Sequence, residues 1–157
     1  EITPKDPSRP VRLSVVMALG VCDEICLPAT LELTSDLASP GAPDASIKAA
    51  LQARAETAGE AGVTGVTCQV DPITDGLRVP ARVRLPDPGH PEVVAFETAD
   101  REVWVSEAVT ERRGGELISM TELVPPNGAP FALDRSGITM TILAANGAVE
   151  VKGCPAP

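Results

Sequence analysis

RPVRLSVVMALGVCDEICLPATLELTSDL, residues 9–37, holds two runs of alternating side chains joined by a short segment that carries two cysteines. Val11, Leu13, Val15, Met17 and Leu19 fall on one side of an extended chain, and Arg12, Ser14, Val16 and Ala18 fall on the other. Period two belongs to the β-strand, because successive side chains point to opposite faces. The return run alternates again through Leu31, Leu33 and Ser35. Two such runs with a short connection predict a β-hairpin with Cys22 and Cys26 at its tip. A lone two-stranded ribbon is marginal in water, so its apolar face needs a cover. Either it docks on later β structure, or it is the tail of a first β-domain whose earlier strands lie outside these residues.

Outward from the hairpin, residues 1–10 contain three prolines and read as an extended edge or linker. Residues 39–62, SPGAPDASIKAALQARAETAGEAG, open with Pro and Gly and then turn Ala-rich. Ile47, Ala50, Leu51 and Arg54 recur at helical spacing, which predicts a connecting helix from about Asp44 to Ala58 that stops near Gly59 or Gly62. From Val63 onward, short strand signals alternate with the breaks TDG, PDPGHP, ADR, RGG, PPNGAP and ANG. About seven short strands in the last 95 residues predict an all-β fold, an antiparallel sandwich of immunoglobulin-like type over 63–157. The ANG turn at Ala145–Gly147 and the tip Arg112-Arg113-Gly114-Gly115 mark two of its hairpins.

Composition narrows the function. The 157 residues carry a net charge of −9, which argues against nucleic acid and anionic membrane surfaces, since both favour Lys/Arg patches. No apolar run reaches the 18 residues of a membrane span. Aromatic residues are Phe96, Trp104 and Phe131 alone, so the core must be built from aliphatic side chains and gains from covalent staples. The start, EITPKDPSRP, has neither an initiator Met nor a signal peptide and reads as a trimmed or processed chain.

Four cysteines allow three pairings, and disulfides imply an exported protein. A Cys68–Cys154 bond would close about 87 residues, for which chain entropy gives roughly 4.6 kcal/mol; this is the reading of a structural staple. A Cys22–Cys26 bond would close about five residues for roughly 2 kcal/mol before strain. So small a gain suits a dithiol that opens and closes, in which the second thiol resolves a mixed disulfide formed by the first. A plain clip and a metal site stay open on spacing alone. Asp23 and Glu24 sit between the two sulfurs, and negative charge there disfavours thiolate. The reduced pair would attack weakly unaided, while the oxidised pair stays open to a partner's thiolate, as in a relay.

Other candidates have plainer readings. His90, the only histidine, lies in PDPGHPEV with no adjacent partner and reads as a solvated turn residue. Met17 with Cys22 and Cys26 forms a soft set suited to Cu(I), but its place on the apolar run reads as core packing. Trp104, in EVWVSEA, reads as sandwich core. Phosphate-loop, H-E-x-x-H and G-x-S-x-G motifs are missing from the sequence.

LGVCDEICLPATLEL, residues 19–33, resembles the cysteine hairpin in the amino-terminal periplasmic domain of DsbD-type thiol–disulfide interchange proteins, in particular the ScsB-like branch linked to copper tolerance. The residues that match are Gly20, the Cys22–Cys26 pair, Ile25, Pro28 and the returning strand. FETADREVWVSEA (96–108) and APFALDRSGITMTILAANGAVEVKGCP (129–155) resemble that branch's second immunoglobulin-like module. The resemblance implies three parts: residues 1–38 as the tail of a first immunoglobulin-like redox module, 39–62 as a helical connector, and 63–157 as a second sandwich. It implies a periplasmic oxidoreductase that needs no cofactor or metal and relays reducing equivalents through Cys22 and Cys26. Thioredoxin-like proteins would reduce it, and periplasmic disulfide-bearing proteins would receive the electrons. It also implies that Cys26 exchanges with partners and Cys22 resolves. The family's earlier strands, cap loop, membrane domain and thioredoxin-like domain have no counterpart in these residues, so the electron donor is open. The alternative is a Cu(I)-binding or static protein-interaction module whose disulfides never cycle.

Overall fold

The computed structural model describes residues 2–23, 25–37 and 41–157. The chain forms two compact units, residues 1–49 and 50–157.

In the first unit, β1 (Val11–Cys22) and β2 (Cys26–Leu37) pair antiparallel from Val11↔Leu37 to Cys22↔Cys26. This is the hairpin that the alternation predicts. Its register sorts the side chains into two faces. Val11, Leu13, Val15, Met17, Leu19 and Val21 share one with Leu27, Ala29, Leu31, Leu33, Ser35 and Leu37. Arg12, Ser14, Val16, Ala18, Gly20 and Cys22 share the other with Cys26, Pro28, Thr30, Glu32, Thr34 and Asp36. Arg12 and Asp36 close the open end with an exposed ion pair at 3.0 Å. Neither strand has a buried residue.

Helix α1 (Ala45–Gln52) runs across the division between the units. Asp44 caps it, its Oδ1 accepting from the amides of Ser46 and Ile47 at 2.8 and 3.0 Å. It stops well short of the Ala58 expected from the Ala-rich composition. Ile47 and Leu51 are both exposed, so no packing extends the helical stripe. The following residues find better partners. Arg54 makes a two-pronged pair with Glu60 at 2.6 and 2.9 Å, and Glu60 also accepts from the amide and hydroxyl of Thr57 at 2.8 Å. The turn closes through Gly62 at φ +70°, a backbone state that glycine adopts without a Cβ clash. Local propensity is a weak prior, and tertiary partners override it here.

The second unit is a sandwich. One sheet carries β4 (Gly65–Cys68), β5 (Asp71–Pro72), β6 (Leu77–Arg84), β8 (Trp104–Val105), β9 (Val109–Arg113) and β10 (Glu116–Val124). Its order is β4-β6-β10-β8, with β5 also on β6 and β9 also on β10. The other sheet is β3-β12-β11-β7, formed by β3 (Glu56–Thr57), β7 (Val93–Glu97), β11 (Thr139–Ala144) and β12 (Gly147–Lys152). All these pairings are antiparallel except β3 with β12. Inward residues of both sheets share one core, including Val79, Leu117, Leu123, Met140, Ile142 and Val151. Ser119 and Thr121 are the buried polar members. Their hydroxyls are satisfied: Thr110 and Ser119 meet at 2.9 Å, and Thr121 donates to the Ser106 carbonyl at 2.9 Å. The all-β class with a hairpin and a small helix is therefore as the sequence indicates.

Trp104 departs from expectation. It is 61% exposed, and Val103 enters the core in its place. The run 102–112 breaks into β8 and β9, and Trp104 pairs with Val124 on the outward side of β10. A two-residue strand gives too short an alternation to fix which face is buried.

Candidate functional site

The ribbon tip carries the first of the two disulfides. The last rung of β1 and β2 is Cys22↔Cys26, and the two are joined as a disulfide with Cα atoms 4.0 Å apart. Both residues are exposed. They lie on the polar face of the ribbon, opposite the apolar one. Val21, Ile25 and Leu27 flank them, each 60% exposed or more, and with Cys22 and Asp23 they line a shallow hollow at the tip. Asp23 donates its amide to the Ile25 carbonyl at 3.2 Å, which tightens the turn. A Cβ built on Gly20 would rest 3.6 Å from Cys22 Sγ, so glycine leaves that flank of the sulfur bare. An incoming thiolate must approach a disulfide sulfur directly, and access governs the rate. Here access is open, and apolar side chains surround it. Asp23 stands beside the bond as the sequence places it; Glu24 lies outside the described residues.

The second disulfide is built differently. Cys68 and Cys154 are bonded with Cα atoms 5.4 Å apart, and they are 0% and 1% exposed. Cys68 donates its amide to the Pro155 carbonyl at 2.7 Å, and Cys154 donates to the Arg135 carbonyl at 2.9 Å. Arg135 reaches back to donate to the Cys68 carbonyl at 2.5 Å. The bond is part of the core, and no external thiolate reaches it without local opening. Sequence reading found the pair but missed Arg135, whose partner lies 67 residues away and leaves no local signal.

The soft Cu(I) set does not assemble. Met17 pairs with Leu31 on the apolar face, while Cys22 and Cys26 lie on the other. Five residues along a strand reverse the side-chain direction, and that alone separates them.

His90 has partners that the sequence hides. Its Nε2 faces Asp87 Oδ2 at 3.6 Å, and its Nδ1 faces Glu92 Oε2 at 3.7 Å. Glu92 is nearly buried and is gripped by Arg112 through two contacts at 2.5 and 2.6 Å. Hydrogen bonding to Glu92 holds the Arg112 guanidinium above its ordinary range, against the burial that opposes it. Arg112, read from sequence as part of a hairpin tip, is both that and one half of a buried ion pair.

No family model matches the sequence, and no curated protein matches it. The fold does have a solved counterpart, the N-terminal periplasmic domain of ScsB from Proteus mirabilis. The TM-score is 0.63 at 14% identity, and the match covers 92% of this chain and 57% of that one. This chain thus spans a little over half the length of the domain it resembles. At this identity the likeness is one of fold. None of the described helices is long and apolar enough to cross a membrane.

Proposed function

Proceeding from that shared fold, we propose that this chain performs thiol–disulfide exchange in the periplasm, with Cys22 and Cys26 as the redox pair and Cys68–Cys154 as a static staple. One observation carries the reading: the two disulfides have opposite environments, one bare at a ribbon tip and one sealed in a core. Exchange proteins need the first kind, and structural bonds are the second.

The exchange balances as follows. In the reduced form, the Cys26 thiolate attacks one sulfur of a partner's disulfide. A mixed disulfide forms and the partner's other sulfur leaves as thiolate. Cys22, deprotonated, then attacks Cys26 Sγ and releases the partner's second thiolate. Two electrons pass to the partner, and the Cys22–Cys26 bond is restored. A thioredoxin-like dithiol runs the same steps in reverse to reload the pair. The apolar rim of Val21, Ile25 and Leu27 suits protein partners, since it offers them dry surface beside the sulfur. The negative charge of Asp23 and Glu24 keeps the free pair from acting indiscriminately.

The apolar face of the ribbon belongs to the same proposal. Residues 1–38 form the end of a first immunoglobulin-like module, and further strands supplied from outside these residues cover Leu13, Leu19, Leu31 and Leu33.

The test is a redox titration with thiol trapping and mass spectrometry. The expected result is opening of Cys22–Cys26 at the poise of exchange proteins, between about −270 and −120 mV, while Cys68–Cys154 stays closed down to about −300 mV. Cys22→Ser should accumulate a mixed disulfide at Cys26, and Cys26→Ser should not accumulate the equivalent species at Cys22. Joint opening of both bonds only under denaturing reduction would make the tip a clip and end the exchange reading.

A further inference from the structure

We infer that the loop Asp87–Glu92 is a binding site for a divalent transition cation of the Zn²⁺ class, independent of the cysteines. Asp87 and His90 are the ligands, and Glu92 is the residue that orients the imidazole.

The chemistry of the three groups differs, and the geometry sorts them. Asp87 Oδ1 accepts from the Gly89 amide at 2.8 Å, which leaves Oδ2 as the oxygen turned toward the ring. His90 Nε2 stands 3.6 Å from that oxygen. Two donors on one tetrahedral Zn²⁺, at bond lengths of about 2.0–2.2 Å, lie about 3.4 Å apart. The observed spacing fits a shared cation with a small closure. On the far side of the ring, Nδ1 faces Glu92 Oε2 at 3.7 Å. A carboxylate behind a ligating imidazole takes the Nδ1–H, fixes the tautomer with the Nε2 lone pair outward, and raises ligand basicity. Arg112 locks Glu92 in that position, as the side chains of the pair are 9% and 3% exposed. Asp87, His90 and Glu92 converge, each offering one donor atom within 4.8 Å of the others.

The loop is also held from outside the cluster. The Ala145 amide donates to the Gly89 carbonyl at 3.4 Å, and the Asn146 amide donates to the Pro88 carbonyl at 3.2 Å. Gly89 sits at φ +95°, a backbone state that favours glycine, and lies close against Asn146. Asp87, Glu92 and Arg112 together sum to one negative charge facing the cation. Imidazole with carboxylate suits Zn²⁺, Cu²⁺ or Ni²⁺, whereas Mg²⁺ prefers an all-oxygen shell.

The experiment uses the full chain, oxidised so that no thiol competes, stripped with chelator and titrated with Zn²⁺ by calorimetry and NMR. His90 is the only histidine, so its ring resonances report the site without ambiguity. One Zn²⁺ per chain is expected, with shifts in the His90 ring and in the amides of 87–92. His90→Ala should abolish that event, Asp87→Asn should weaken it severely, and Glu92→Gln should weaken it roughly tenfold. Mg²⁺ should leave the ring unchanged. Thermal unfolding of each variant checks that the fold survives; His90 and Asp87 are exposed, which makes them safe to change. Zn²⁺ binding that leaves the ring unmoved, or full affinity in any of the three variants, would overturn the assignment and leave only diffuse binding by surface carboxylates.

Discussion

Cys22 and Cys26 form the last rung of the ribbon, and in sequence two acids, Asp23 and Glu24, stand between them, so the proposed exchange depends on their charge. Replacing both, Asp23→Lys with Glu24→Lys, should lower the thiol pKa. Each unit lowered gives about tenfold more thiolate but about threefold less nucleophilicity per thiolate, a net gain of about threefold. Stopped-flow reduction of a small disulfide by the reduced protein would show this, and the gain should shrink in high salt. Arg112 and Glu92 form the other decisive pair at this scale. Removing one partner leaves a buried charge alone, so Arg112→Ala should destabilise by about 3 kcal/mol in urea unfolding, and Glu92→Leu with Arg112→Leu should recover most of it. The cysteine pairing was legible in the sequence because it follows from residue type and spacing. The ion pair was not, because Glu92 and Arg112 lie 20 residues apart and meet only through the fold.

Elements were legible where alternation is long. The twelve-residue strands β1 and β2 and the inward run Leu77, Val79, Ala81, Val83 of β6 carry a period that survives any local irregularity. The helix forms where the spacing predicts it but ends at Gln52 instead of near Ala58, because the Arg54–Glu60 clamp outweighs alanine propensity. Glu60 has its carboxyl lowered from about 4.5 to about 2, first by the hydrogen bond from Arg54 and then by those from Thr57. A depressed folded pKa means that the clamp contributes above the unfolded value and is lost as pH falls through about 2. The Glu60 side-chain carbon resonance should therefore titrate near 2, below ordinary glutamates, and Arg54→Gln should return it toward 4.5. Cys68–Cys154 ties β4 to the segment that follows β12. Cys68→Ala with Cys154→Ala should cost up to about 4.6 kcal/mol on the chain-entropy argument, read from chemical denaturation.

At the scale of the molecule, the two units have unequal means of support. Residues 50–157 own a shared core; the ribbon owns none. A fragment of 50–157 should keep a dispersed amide spectrum and unfold cooperatively, and a peptide of residues 9–37 should be largely disordered once reduced. Sequence patterning revealed the two β regions, but what covers the ribbon is a long-range matter that alternation cannot specify. The separation of faces along β1 and β2 has a last consequence. Antiparallel pairing can slip by one residue, and a slip inverts which side chains share a side. The rung Cys22–Cys26 forbids that slip while the bond is closed, so oxidation locks the reading frame of the whole ribbon from its far end. In the proposed exchange, opening that bond unlatches the frame and hands its upkeep to side-chain pairing alone. Under that proposal, the electron count and the strand alignment are recorded by the same two atoms.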